Sequence, residues 1–242
     1  MLVTKSRGQD LLRKIKLLRS AVYKQPLLFT VILLCAGSFL AFSKLASEVL
    51  EGEGRAIDKQ IMLLMRDPND STNPLGPGWF EETMRDITGL GGIAILTFIT
   101  LASALYLFLI NKKGLALYLL AAVGTGAMFS SLLKAGFDRP RPDLVPHDTI
   151  VYTASFPSGH SLIAAIVYLT LAALLAESQP RYRLKLYILS LAVVITLLIG
   201  ISRVYLGVHW PSDVVAGWLG GSAWAFMFWI IAHYARRSHL LT

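Results

Sequence analysis

Long stretches without a charged side chain dominate the pattern of hydrophobic and polar positions along this chain. Six of them contain no Asp, Glu, Lys or Arg: residues 25–43, 87–111, 114–133, 161–176, 186–202 and 214–232. A helix that crosses the hydrocarbon core of a bilayer needs about 20 apolar residues, with a range of about 17–25. Four stretches fit comfortably, and the two shortest, 161–176 and 186–202, are marginal unless flanking residues such as 156–160 extend them. The pattern predicts an all-α, polytopic membrane protein with six transmembrane helices in a bundle.

Composition supports this interpretation and excludes several other classes of protein. Hydrophobic residues make up 55% of the 242 residues and charged residues only 16%, whereas a soluble domain carries about 25% charged residues. The single cysteine, Cys35, lies in an apolar stretch, so an internal disulfide and a multi-cysteine metal site are both excluded. We expect three regions: a basic cytoplasmic segment (1–24), a six-span membrane domain (25–232) and a cytoplasmic tail (233–242).

The distribution of charge predicts which ends of the spans face the cytoplasm. Basic residues in short loops favour the cytoplasmic side. With the N-terminus inside, 14 Lys and Arg residues fall inside and nine outside, while 13 of the 15 acidic residues fall outside. Leaving out Lys134, Arg141 and Arg203 strengthens this asymmetry. We therefore expect a protein of the bacterial inner membrane with both termini in the cytoplasm. Because topology accounts for the net charge of +8, no nucleic-acid partner is expected.

Residues 44–86 form the only long segment between spans, which we expect on the extracytoplasmic side. Its first part repeats apolar residues at helical spacing between charged ones: Ile57, Ile61, Leu64 and Met65. This pattern predicts a short amphipathic helix, either lying on the outer leaflet or packed on top of the bundle. A cluster of Pro, Gly, Asn and Asp over residues 67–78 predicts turns after it. Gly217 and Gly221 share one helix face in the last span, which favours tight packing within the bundle over dimerisation.

Three groups of polar residues stand at span ends that the predicted topology places on the same, outer side. They are Lys134 with Asp138-Arg139-Pro140-Arg141-Pro142; Pro157-Ser158-Gly159-His160; and Ser202-Arg203 with His209-Trp210-Pro211-Ser212-Asp213. Ionisable residues at membrane depth that cluster with partners mark functional sites. We therefore expect the three groups to form one site.

The residue types in these groups fit phosphoryl transfer. Lysine and arginine supply fixed positive charge, and the planar guanidinium matches phosphate oxygens. Ser158 and Gly159 stand before a helix start, where backbone N–H groups favour an anion. Two histidines can divide the roles of nucleophile and general acid. Asp213, four residues after His209, can reach back to one ring nitrogen and so raise the nucleophilicity of the other. Together they predict transfer through a phosphohistidine.

The spacing of these motifs resembles the three-part signature of the type 2 phosphatidic acid phosphatase superfamily, the integral-membrane lipid phosphate phosphatases. Lys134 is followed after six residues by Arg141-Pro142, then comes Pro157-Ser158-Gly159-His160, then Ser202-Arg203, His209 and Asp213. The motifs span residues 134–213 in the expected order, and the six-span layout extends the resemblance over about residues 25–232. Within this superfamily the chain resembles the bacterial phosphatidylglycerophosphatase B and undecaprenyl-diphosphatase types.

The resemblance implies a role for each motif residue. His209 would be the nucleophile, oriented by Asp213, and His160 would protonate the leaving oxygen and then activate water. The phosphoryl oxygens would be bound by Lys134, Arg141, Ser158, Gly159 and Arg203. The resemblance assigns no role to Arg139, for which two interpretations stay open: contact with phosphate or a lipid headgroup, or an ion pair with Asp138 or Asp143. The family needs no metal or other cofactor.

The predicted function is metal-independent hydrolysis of a lipid phosphate or diphosphate at the outer face of the membrane. Phosphatidylglycerophosphate, undecaprenyl diphosphate and phosphatidic acid are the candidate substrates, because the motifs bind the phosphate and not the tail. The same phosphohistidine could pass its phosphoryl group to an alcohol or a phosphate acceptor, which would make the protein a phosphotransferase. A transporter or lipid-binding protein is the non-catalytic alternative, and it would tolerate His209→Ala.

Overall fold

The computed structural model of the chain describes residues 25–143 and 154–237. Within them the chain forms eight helices: α1 (Pro26–Leu50), α2 (Arg55–Leu63), α3 (Gly78–Gly89), α4 (Ile93–Leu109), α5 (Lys113–Gly136), α6 (Gly159–Glu177), α7 (Tyr182–Tyr205) and α8 (Pro211–Arg237). The only β-type pairing in these two ranges is an isolated bridge between Arg66 and Pro74. The predicted all-α fold is confirmed. The basic segment 1–24 lies outside the described residues.

Five of these helices, α1, α5, α6, α7 and α8, are long and apolar enough to cross a membrane. Large apolar side chains remain exposed on the outer helices, for example Leu33 on α1, Phe98 on α4 and Leu186 on α7. Exposed apolar surface of this extent is unfavourable in water and stable in lipid. The chain is an integral membrane protein.

The second predicted span differs from the expectation of one continuous helix over 87–111. The structure ends α3 at Gly89 and begins α4 at Ile93, and the two helices meet at a bend of 45°. The break falls at glycines, and Gly92 takes an extended conformation (φ −69°, ψ 147°) that interrupts helical geometry. The described residues therefore provide five helices that can span a membrane, or six spans if the bent pair of α3 and α4 counts as one. Nothing in the charge pattern marked this break.

Helix α6 lies at the centre of the bundle and contacts α4, α5, α7 and α8. Its residues Ala164 and Val167 are fully buried against Leu96 of α4 and Ile199 of α7. Helix α1 packs on the other side of α8, with Phe42 and Ala46 close to Ala216. Because small residues line the central helix, its neighbours approach closely and bring their ends together.

Helix α2 packs on the end of the bundle, which was one of its two predicted positions. Met62 is fully buried with Val204 of α7 and Val214 of α8, and Asp58 is also buried. The opposite face leaves Ile57 63% and Leu64 78% exposed. The helix therefore anchors to the protein through one face and presents apolar side chains outward through the other.

Gly217 and Gly221 of α8 face α6, as expected for packing within the bundle. A Cβ atom on Gly217 would lie 2.7 Å from Ser161 Cβ and 2.8 Å from the Ser158 carbonyl oxygen. Only glycine allows this approach, which joins the first turn of α6 to α8.

We expect Gly217→Ala to push α6 away from α8. The overpacking should lower the free energy of unfolding by about 1–3 kcal/mol. Thermal unfolding of the purified protein in detergent would measure this. Gly124→Ala is the matched control, because Gly124 also lies within a helix but a Cβ there meets nothing within 4 Å; equal unfolding temperatures for the two variants would contradict the prediction.

Candidate active site

Four helix ends meet at the end of the bundle that carries α2 and α3. They are the last turns of α5 and α7, with Lys134 and Arg203, and the first turns of α6 and α8, with His160 and Asp213. Sequential helices in this bundle run in opposite directions, so the C-terminal end of one helix lies on the same side as the N-terminal end of the next. The structure therefore brings the three predicted groups together.

Three cationic side chains line this end. The Nζ atom of Lys134 stands 3.4 Å from where a Cβ on Gly159 would be, so the lysine ammonium lies against the start of α6. Arg141 Nη1 donates to the carbonyl oxygen of Val208 at 2.8 Å. Arg203 Nη1 donates to Thr88 Oγ1 at 3.1 Å. The charges of these three side chains all act on the His160 ring.

The Arg203 guanidinium has a hydrogen-bond donor that finds no acceptor in the described part of the chain. Among the described residues, none accepts a hydrogen bond from Arg203 Nε, although the atom is buried. A buried donor without a partner is costly. The site therefore offers both positive charge and hydrogen-bond capacity to an anion.

Ser158 caps the start of α6. Its Oγ accepts hydrogen bonds from Ser161 N at 3.5 Å and Ser161 Oγ at 3.1 Å, and its backbone N–H donates to the Asp213 carbonyl oxygen at 3.0 Å. This second bond ties the first turn of α6 to the first turn of α8. The Ser158 hydroxyl, expected to bind phosphate, lies at the site but is used in the structure as a cap.

His209 lies between α7 and α8 and is 2% exposed. Its Nδ1 is 3.5 Å from Asp213 Oδ2, and its Nε2 is 3.2 Å from Arg141 Nη1. A guanidinium can only donate, so Nε2 acts as acceptor and the ring proton is on Nδ1, toward the carboxylate. This tautomer leaves the Nε2 lone pair directed at the cationic cluster. A neutral imidazole with a directed lone pair is what a nucleophilic histidine requires.

Burial lowers the pKa of His209 to about 4. The charge of Arg203 acts in the same direction, whereas the hydrogen bond and charge of Asp213 oppose it. The imidazole is therefore neutral over the physiological range.

Asp213 is completely buried and holds several donors. Its Oδ2 accepts from the backbone N–H of Trp210 at 2.9 Å and from the Ser155 hydroxyl. Its Oδ1 accepts from Arg139 Nη1 at 2.5 Å. The carboxylate predicted to orient His209 is thus itself fixed from three sides.

Arg139 lies behind the site and is not paired as expected. Neither Asp138 nor Asp143 is its partner; instead it forms ion pairs with Asp58 of α2, at 2.7 Å, and with Asp213. Asp58 and Ser155 were not predicted from the sequence, because each contacts the site only through residues distant in the chain. Ser212 lies in the third predicted group, but its contacts with Arg139 and Asp58 were not foreseen. The one available signal for these partners was Arg139 itself, an arginine additional to Arg141 in the sequence Arg139-Pro140-Arg141-Pro142.

The fold and the site define an integral membrane protein with a cation-lined histidine site at one end of a helical bundle. The chain belongs to the PAP2 superfamily, whose family model matches residues 115–237. This membership confirms the predicted enzyme class, a lipid phosphatase. The matched residues include the four helices whose ends carry the site, α5 to α8.

Individual relatives extend the similarity beyond the motifs. The chain is 35% identical over 187 residues to phosphatidylglycerophosphatase B of Bacillus subtilis, covering 74% of this chain and 85% of that protein. It is 44% identical over 73 residues to an undecaprenyl-diphosphatase of Sulfolobus acidocaldarius, covering 30% and 31%.

A solved structure supports the fold. The crystal structure of a transmembrane PAP2-type phosphatidylglycerolphosphate phosphatase from Bacillus subtilis matches with a TM-score of 0.71 and 32% identity, over 85% of this chain and 98% of that one. The predicted membrane bundle is therefore the fold of this family.

We expect the low pKa of His209 to make the folded protein sensitive to acid. The unfolded chain binds a proton on this histidine below about pH 6.5, whereas the folded chain does so only near pH 4. Stability from this group is therefore complete above pH 6.5 and is lost as pH falls toward 4, by about 3 kcal/mol in total. Thermal unfolding at pH 7 and pH 4.5 should show a larger loss for the wild type than for His209→Asn. Parallel losses would contradict the assignment.

Proposed function

We propose that this phosphatase acts through a phosphohistidine on His209. The observation that carries the proposal is the orientation of the imidazole, with Nδ1 toward the buried Asp213 and Nε2 toward Arg141. Nε2 attacks the phosphorus atom, the bond from phosphorus to the lipid oxygen breaks, and the leaving oxygen takes a proton from His160. Asp213 stabilises the imidazolium that carries the phosphoryl group.

A second step returns the enzyme to its starting state. Water attacks the phosphorus while His160 accepts its proton, the bond between phosphorus and Nε2 breaks, and inorganic phosphate leaves. Lys134, Arg141 and Arg203 bind the phosphoryl oxygens during both steps, with the first turn of α6 at Gly159. Since these side chains supply the positive charge, the proposed reaction assigns no step to a metal ion.

The proposed substrates are phosphates and diphosphates of membrane lipids. The site stands at the end of membrane-spanning helices, where a lipid headgroup arrives without its tail leaving the bilayer. Phosphatidylglycerophosphate and undecaprenyl diphosphate are the first to test, because the names of the relatives specify these lipids. Phosphatidic acid and a water-soluble phosphate ester complete the panel.

The test is phosphate release by the purified protein over this panel, with quenched samples analysed for acid-labile phosphoenzyme. His209→Ala should abolish both turnover and phosphoenzyme. His160→Ala should slow phosphoenzyme formation most for substrates with poor leaving groups, because such groups need the proton. A chelator should leave the rate unchanged.

The control is His233→Ala. His233 lies in the last turns of α8 and contacts Gln25 at the start of α1, at the end of the bundle opposite to the site. It should retain wild-type turnover. Turnover by His209→Ala near the wild-type rate would refute the nucleophile assignment. Transfer of phosphate to an added alcohol without release of inorganic phosphate would identify a phosphotransferase instead.

We propose that the site faces the extracytoplasmic side, with both termini in the cytoplasm. The asymmetry of basic residues supports this orientation. Starting from Cys35→Ala, a cysteine at Asn69, after α2, should react with an impermeant maleimide on intact cells. A cysteine at Lys112, between α4 and α5, should react only after permeabilisation. Both positions are exposed, and the reverse labelling pattern would overturn the topology.

A further inference from the structure

A buried carboxylate from α2 lies beside the start of α8. Asp58 is 3% exposed, yet it belongs to the short helix between the first two spans. Its Oδ1 accepts from the backbone N–H of Ser212 at 2.9 Å. Its Oδ2 accepts from Ser212 Oγ at 2.5 Å and from Arg139 Nη2 at 2.7 Å. A carboxylate is costly to bury unless all its contacts are satisfied, and Asp58 meets this condition.

Arg139 joins this carboxylate to the catalytic one. Nη2 of its guanidinium donates to Asp58, while Nη1 donates to Asp213 Oδ1 at 2.5 Å and to Ser212 Oγ at 2.7 Å. The guanidinium also lies over the Trp210 ring, 5.8 Å from its centroid. A planar, rigid fork that holds two carboxylates fixes their relative positions, which a lysine cannot do.

We propose that Asp58 and Arg139 are positioning residues, which hold Asp213 so that its Oδ2 faces His209 Nδ1. The inference rests on the proposed function, because it assigns Asp213 the task of orienting the nucleophile. Neither residue lines the phosphate-binding cluster: the contacts of Arg139 are with Asp58, Ser212, Asp213 and Trp210. Helix α2 thereby becomes part of the catalytic apparatus instead of a surface connection.

The charges in the network predict opposite effects of its two members on His209. The groups that act on this ring are Asp213 of α8, Arg203 of α7, Arg141 of the loop before α6, and His160 of α6, with Lys134 of α5, Arg139 and Asp58 behind them. Loss of the Arg139 cation leaves Asp213 less compensated, which favours the imidazolium. Loss of the Asp58 anion has the reverse effect.

The test compares Asp58→Asn and Arg139→Gln with the wild type, as full-length protein purified in detergent. Rapid quench with a radiolabelled lipid phosphate measures phosphoenzyme formation. Initial rates from pH 3 to 8 give the fall of kcat/KM on the acid side, called here the acid limb. We expect phosphoenzyme formation to fall about 10- to 100-fold in each variant, as for other groups that orient a reactive side chain. KM should change little, because substrate contacts remain.

The acid limb provides the signature that a purely structural role would not give. It should move to lower pH in Asp58→Asn and to higher pH in Arg139→Gln, since this limb follows protonation of the nucleophile. Arg139→Lys should keep the limb near its wild-type position, because the charge remains, and should recover only part of the rate.

Arg66→Met is the matched control. Arg66 is also a buried arginine, 3% exposed, and holds the segment after α2 to α7 through Tyr205 O at 2.7 Å. It should lower the unfolding temperature and leave the acid limb in place. If Arg139→Gln does not fold, Asp58→Asn and Arg139→Lys still decide the question through rate and acid limb.

The outcomes separate the two proposals. Phosphate release by the wild type without any phosphoenzyme would overturn the proposed function. A wild-type phosphoenzyme that forms at an unchanged rate in Asp58→Asn, with the acid limb unmoved, would overturn the positioning role alone. Shifts of the limb in the same direction in both variants would also overturn it, since they would indicate general loosening of the site.

Discussion

The site depends on keeping one carboxylate, that of Asp213, entirely out of water. An ionised carboxylate in this position is stable only with fixed donors around it, and its donors come from different parts of the chain: Arg139 after α5, Ser155 before α6, and Trp210 at the start of α8. Satisfying this one group therefore joins three segments. The ring of His209, the proposed nucleophile, is oriented by Oδ2 of this carboxylate, which faces its Nδ1 at 3.5 Å.

The close packing of α6 against α8 also holds Asp213 in place. Glycine at 217 lets the Ser158 carbonyl approach α8, and the Ser158 N–H in turn donates to the Asp213 carbonyl oxygen. The turn that offers backbone to an anion and the turn that carries the carboxylate are thus held in one rigid unit. Preorganised donors of this kind lower the cost of stabilising charge in the transition state.

Sequence alone predicted those features that depend on local composition. The spans followed from the absence of charge, and the site residues followed from residue types at fixed spacing, such as Asp213 four positions after His209. The break between α3 and α4 was missed, since a bent helix and a straight one are equally free of charge. At this break the chain packs closely on its neighbours, since a Cβ on Gly91 would lie 2.5 Å from Ile199 Cγ2 and 3.4 Å from His160 Cδ2. The pairing of Arg139 was beyond prediction because Asp58 lies 81 positions away.

The meeting of four helix ends has an electrostatic consequence. Two of the ends are C-terminal, and the exposed carbonyl groups of a helix C-terminus carry about half a negative charge, which repels an anion. The last turns of both helices contain a cation, Lys134 in α5 and Arg203 in α7. Each therefore offsets the unfavourable field of its own helix, in addition to the phosphate contact proposed for it. An antiparallel bundle always presents such ends in alternation, so any anion-binding site built at its rim needs cations at these positions before it can gain from the positive ends of the other two helices.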